Sequence, residues 1–171
     1  MKEYSTIIER GRDKINDDIF DYLLPRLNGK VLDIGCNTGY LLSVYKGESR
    51  GVDASSLMVA KAVAKGLDVI QADACKLPFE NKVFDTVVLS CVLEQIEDWK
   101  TALKEAMRVG KTIIGFNPIP KSDQWGFIQG SVKSVIDTNE MLKEVMLNNG
   151  LSVVHFDNYI KNKYYFEIVQ L

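Results

Sequence analysis

Residues 31–40 read "VLDIGCNTGY", a short apolar run that breaks into an aspartate, two glycines and an asparagine. Gly35 and Gly39 allow backbone to approach a partner closely, and Asn37 is among the few non-glycine residues that enter left-handed backbone readily. A break of this kind after a strand marks a ligand site in an open α/β sheet, where ligands bind outside the carboxyl ends of the strands beside the reversal of strand order. A dinucleotide fingerprint, G-x-G-x-x-G, requires glycine at 35, 37 and 40, and the chain carries Gly35, Asn37 and Tyr40 there. A loop of the form acid-x-G-x-G-x-G is matched at Asp33, Gly35 and Gly39, with Asn37 as the tolerated departure. A phosphate-binding loop is excluded, because no Gly-Lys-Ser/Thr follows.

Outward from this loop, strand and helix alternate. "GYLLSVYKG" reads as helical, "SRGVDA" as a second strand, and "SLMVAKAVAK" as a helix stopped by Gly66. "LDVIQAD" and "FDTVVLSC" read as strands three and four, "WKTALKEAMRV" as a helix closed by Gly110, and "KTIIGFN" as strand five. The alternation implies right-handed crossovers and a mostly parallel sheet covered on both faces. Residues 5–27 read as one or two amphipathic helices, with Thr6 and Glu9 spaced for a capping box and Pro25 near the end. Residues 117–137 read as irregular, 138–149 as a helix closed by Gly150, and "LSVVHF" with "YYFEIVQL" as an antiparallel hairpin.

Three aspartates share one topological position. Asp33, Asp53 and Asp73 stand at or near the ends of strands one, two and three. A carboxylate after strand two can accept both hydroxyls of a ribose, which suits NAD as well as any other adenosine ligand. A further carboxylate followed by a small residue, Asp73–Ala74, is more discriminating: it can accept an adenine amino group while the adjacent backbone N–H reaches the ring. The ligand then has adenine and ribose but no pyrophosphate, and the glycine loop faces an amino-acid tail with Asp33 near its ammonium group. That describes S-adenosylmethionine. The structural alternative is that strand-end aspartates cap the following helices, a role to which Asp53 before "ASSLM" is also suited.

The rest of the composition agrees with a soluble cytoplasmic single domain. The 171 residues can bury a sizeable core without staples. The formal net charge of −2, without a long Lys/Arg run, argues against a nucleic-acid partner. Cys36, Cys75 and Cys91 form neither a zinc pattern nor a disulfide framework, and no metal site is expected. "MKEYSTIIER" lacks an apolar signal core, and no run approaches the roughly 20 apolar residues that cross a membrane.

"VLDIGCNTG", "GVDAS", "QADACKLPFENKVFDTVVLSCVLEQIED" and "RVGKTIIGFNP" resemble, in order, the motifs of class I S-adenosylmethionine-dependent methyltransferases. Within that superfamily "KGLDVIQADA", "FDTVVLSCVLEQIED" and "MRVGKTIIGF…W" are most similar to the methionine-biosynthesis MetW family, which tends to carry Phe-Pro-Asn where this chain has Phe116-Asn117-Pro118. The resemblance implies a Rossmann-like α/β fold with sheet order 3-2-1-4-5-7-6 and strand seven antiparallel. It implies one methyltransferase domain over residues 1–171, with N-terminal helices over 1–29 and a candidate substrate lid over 119–137. It also implies cofactor contacts at Asp33, Gly35, Cys36, Asn37 and Gly39, at Asp53 with Ala54, at Asp73 with Ala74, and at Ser90.

Methyl transfer from a sulfonium is an in-line displacement in which the cofactor carries the reactivity, so the sequence need show no catalytic signature. None is assigned. Glu94 is the best-placed carboxylate, and its plainer reading is an exposed residue at a helix start. Gln95 cannot act as a base, and His155, embedded in an apolar strand, reads as structural. "NPIP" at 117–120 resembles a motif of amino-group methyltransferases but follows strand five rather than strand four, so it carries no weight. Trp125, Phe127 and Ile128 could form an apolar lid or simply cover the sheet edge. Two functions remain: a methyltransferase acting on a small-molecule acceptor, or, from the MetW resemblance, a cofactor-binding regulatory partner of a methionine-pathway acyltransferase.

Overall fold

A computed structural model describes residues 20–118, 152–160 and 163–169. The elements are β1 (Val31–Ile34), α1 (Tyr40–Val44), β2 (Ser49–Asp53), α2 (Ser56–Val63), β3 (Val69–Gln71), β4 (Phe84–Ser90), α3 (Trp99–Val109), β5 (Gly110–Pro118), β6 (Ser152–Ile160) and β7 (Lys163–Val169). They form one seven-stranded sheet of order β3-β2-β1-β4-β5-β7-β6. Strands β1 to β5 pair in parallel, and β7 runs antiparallel to both β5 and β6. The α/β layering is the one read from the sequence. The Thr6–Glu9 capping box, the candidate lid at 119–137 and the helix expected over 138–149 lie outside the described residues.

Two apolar layers cover the sheet. One gathers α3 with the segment after β3, around Phe84, Leu89, Trp99 and Leu103. The other gathers residues 20–23 with α1 and α2, around Leu23, Leu41, Ala62 and Phe116. Helix α3 forms because its apolar positions recur at helical spacing: Trp99, Ala102, Leu103, Ala106, Met107 and Val109 are buried. Asp98 opens it, its carboxylate accepting the Thr101 N–H at 3.2 Å. Cutting Leu103 to alanine would cost about 2–5 kcal/mol, the usual range for a buried leucine.

Gly110 closes α3, as its position suggests, but without a left-handed turn. Its φ is −110°, and it is already the first residue of β5. Glycine is needed for space, since a Cβ there would stand 2.4 Å from Val87 Cγ2. Helix α1 is also shorter than its pattern suggests, ending at an extended Tyr45 whose hydroxyl donates to the Gly29 carbonyl at 2.8 Å.

The long connection between β3 and β4 is held by Arg108. Its guanidinium donates to the carbonyls of Phe79 and Leu77 at 2.7 and 3.0 Å, and pairs with Glu105 at 2.7 Å. Glu105 also accepts the Leu77 N–H at 2.8 Å. The adjacent guanidinium holds the Glu105 carboxyl below the usual carboxylate range against the opposing effect of burial. This network fixes the segment that begins with Asp73 and Ala74.

Candidate functional site

The sheet aligns the carboxyl ends of its central strands. Asp33 pairs with Gly51, Ile34 with Val52 on one side and Leu89 on the other, and Asp53 with Gln71. Strand order reverses between β1 and β4, so the loops after these two strands flank the crevice where such sheets take ligands.

The loop after β1 turns sharply through three left-handed residues: Gly35 at φ 72°, Asn37 at 53° and Gly39 at 77°. Asn37 pays little for this, because its side-chain oxygen accepts the Thr38 N–H at 2.7 Å. The N–H groups of Gly35 and Cys36 both donate to the Val52 carbonyl, at 2.8 and 3.0 Å. A Cβ on Gly35 would lie 2.5 Å from Val92 Cγ2, so glycine lets the loop after β4 press against the loop after β1.

Asp53 links the two sides of this site. Its Oδ2 accepts the Asn37 N–H at 2.8 Å and its Oδ1 the Ser55 N–H at 2.9 Å. The cap of α2 is Ser55, whose hydroxyl accepts the Met58 N–H at 3.4 Å. Asp53 is therefore not spent on capping. An ionised carboxylate offers about four acceptor positions. Two are used by backbone, which leaves acceptors for two hydroxyls of a ligand.

Asp33 is buried at 5% exposure within β1. Asp73 is exposed, and its carboxylate accepts the Cys75 N–H at 2.8 Å in a local turn. Ala54 is exposed and its carbonyl accepts from the Gln71 side chain at 3.0 Å, while Ala74 is half-buried against the α3 layer. Ser90 is half-buried at the end of β4, paired with Phe116. The structure thus brings Asp33, the glycine loop, Asp53 and Ser90 to one edge of the sheet, with Asp73 following β3 beside them. The three carboxylates suit a cationic ligand and oppose a pyrophosphate.

Cys36 is buried, and its thiol is pushed well above its ordinary range, first by burial and then by Asp33 and Asp53. A thiol held neutral is no nucleophile. Sequence reasoning missed two residues at this edge. Val92 covers Gly35, and Gln95, considered only as a base, donates its side-chain amide to the Cys91 carbonyl. The one available signal was spacing: an amide four residues beyond Cys91, the residue that follows β4. Among the described residues no cluster of His, Cys, Asp and Glu could hold a metal ion, and no helix is long and apolar enough to cross a membrane.

These features define an open α/β sheet whose loops after β1 and β4 meet at its switch point. Residues 32–112 match the family described as a methyltransferase domain. The chain is 31% identical over 123 residues to the demethylmenaquinone methyltransferase of Thermus thermophilus, covering 63% of this chain and 56% of that protein. The chain spans about half the length of the curated relatives it matches. A putative methyltransferase of Haloferax volcanii, solved in complex with the Trm112 activator, superposes with a TM-score of 0.80 at 18% identity, covering 98% of this chain and 94% of that one. A SAM-dependent methyltransferase from Archaeoglobus fulgidus gives 0.76 at 19% identity, covering 98% and 99%. The sequence match over residues 32–112 is to a methyltransferase domain and supports S-adenosylmethionine as the cofactor, while the solved structures, each under 20% identical, show that the chain shares their fold.

Proposed function

We propose that this chain is a single-domain S-adenosylmethionine-dependent methyltransferase acting on a small-molecule acceptor. The observation that carries the reading is Asp53: fixed by two backbone N–H groups at the end of β2, it keeps acceptors for two ribose hydroxyls. Ala54 lies alongside. The backbone at Gly35, Cys36, Asn37 and Gly39 would line the methionyl tail, with Asp33 favouring its ammonium group directly or through water. Asp73 and the Ala74 N–H would take the adenine, and Ser90 would border the reacting end.

The bound cofactor supplies an electrophilic methyl group. The protein's part is to hold the acceptor in line and keep water away. A base is required only for an acceptor that arrives protonated, and no residue is assigned to that role. The MetW-like regulatory alternative uses the same site and adds an acyltransferase partner; it rests on the sequence resemblance alone. Three free cysteines suit a reducing, cytoplasmic setting.

Calorimetric titration with S-adenosylmethionine, S-adenosylhomocysteine and NAD tests the reading. Binding of the first two, weakened in Asp53→Asn, is the expected result. Tight NAD binding, or no adenosine binding by the wild type, would overturn it.

A further inference from the structure

Cys91, immediately after β4, is one of three non-glycine residues with positive φ among the described residues, at 53°. Asn37 has a side chain that hydrogen-bonds locally and so tolerates this region; a cysteine does not. Its conformation must be imposed from outside. Two hydrogen bonds contribute to this: the Cys91 N–H donates to the Phe116 carbonyl at 2.7 Å, and the Gln95 side-chain amide donates to the Cys91 carbonyl. Both backbone polar groups of Cys91 are thereby held, one by β5 and one by the turn Leu93–Gln95.

The next residue gives this turn its consequence. Val92 packs on Gly35 so closely that an added Cβ would stand 2.5 Å from Val92 Cγ2. The angle at which the chain leaves β4 therefore sets how closely the loop after β4 approaches the glycine loop. Backbone held in a sparsely populated region beside a ligand crevice usually serves positioning.

We propose that Gln95 is a positioning residue: by holding the Cys91 carbonyl it keeps the left-handed turn that lays Val92 against Gly35, and so sets the spacing of the two loops that flank the cofactor crevice. This inference rests on the cofactor reading above. Gln95 acts through Cys91 and not by contact with cofactor or acceptor.

The test uses S-adenosylhomocysteine binding by calorimetry together with thermal unfolding, on wild type, Gln95→Met, Cys91→Gly and the double variant. Methionine preserves the length of the side chain but cannot donate. Gln95→Met should weaken binding about fivefold to tenfold, the scale of one net hydrogen bond, with little change in the unfolding midpoint. Glycine adopts positive φ without strain. Cys91→Gly should therefore make Gln95 dispensable, and the double variant should bind within about twofold of Cys91→Gly alone. Unchanged binding in Gln95→Met would overturn the proposal. So would an equal loss whether residue 91 is cysteine or glycine, because Gln95 would then act by another route. Absence of binding by the wild type is a different failure: it would overturn the cofactor reading and this inference with it.

Discussion

The carboxylate of Asp53 and the backbone N–H of Asn37 are joined by a 2.8 Å hydrogen bond, which ties the end of β2 to the glycine loop after β1. The residue best placed for a ribose thus also shapes the loop that would hold the amino-acid tail. Replacing it should affect both. Asp53→Ala should lower stability by about 1–2 kcal/mol, because the Asn37 and Ser55 N–H groups lose their acceptor and water replaces it only in part. Asp53→Asn retains one acceptor oxygen and should lose less stability, yet bind S-adenosylhomocysteine at least about tenfold more weakly. Urea titration and calorimetry separate the two effects. Equal affinity in wild type and Asp53→Ala would remove Asp53 from the site.

Two glycines with similar backbone provide an internal control. Gly66 has φ 79° with nothing within 4 Å of an added Cβ, whereas Gly35 has φ 72° and would meet Val92 Cγ2 at 2.5 Å. Gly66→Ala should cost about 1 kcal/mol, the conformational penalty alone. Gly35→Ala adds a collision with a stiff, branched side chain and should cost about 2–4 kcal/mol. Denaturant midpoints at constant slope measure the difference. Similar losses in both would mean that the loops after β1 and β4 separate easily.

Much of the geometry of this candidate site was legible in the sequence because its determinants are local. The apolar run into Gly35 and Gly39 located the loop, and the recurring strand-end aspartates followed from the alternation of strand and helix. What escaped depends on contacts between distant segments. Gly110 looked like a helix cap, but its requirement comes from Val87, on a neighbouring strand. Nothing in the helix pattern marks Arg108, and only the fold brings the carbonyls of Leu77 and Phe79 to it. Asp53 looked equally suited to capping α2, a role that Ser55 takes. Nothing in the local pattern marks Cys91 as left-handed.

The Glu105–Arg108 pair should govern part of the acid sensitivity. Arg108 lowers the folded pKa of Glu105 below its unfolded value. The stabilisation is therefore complete above the unfolded carboxylate value and lost as pH falls through the folded one. Glu105→Gln should reduce stability at neutral pH by about 1–2 kcal/mol, since a neutral amide accepts more weakly from the guanidinium and the Leu77 N–H. It should also flatten the decline toward low pH. Asp85 and Asp98, lowered by Lys111 and Thr101 respectively, will keep some of that slope. Thermal midpoints of both proteins across the acid range decide it. Parallel curves would show that the pair contributes nothing to the pH dependence.

Cys36 should be chemically silent although it lies within the glycine loop. Its side chain is buried, and a Cβ on Gly51 would stand 2.6 Å from its sulfur, so no reagent has room to approach from that side. Burial, reinforced by Asp33 and Asp53, raises the thiol pKa, so the native state keeps the proton at a pH where an exposed thiol has begun to lose it. The associated stabilisation is present below the unfolded thiol value and fades as pH rises above it. Brief treatment of folded protein with iodoacetamide near pH ~8.5 should label the half-buried Cys75 and Cys91 before Cys36, as peptide mass spectrometry would show. In denaturant all three should react alike. Cys36→Ala should leave S-adenosylhomocysteine affinity within a few-fold, because the residue offers the ligand its backbone and no thiolate chemistry. Rapid alkylation of Cys36 in the folded protein would mean that the loop opens on the time scale of the reagent, and the tight packing of Gly35, Cys36 and Gly51 would no longer describe the state that meets the ligand.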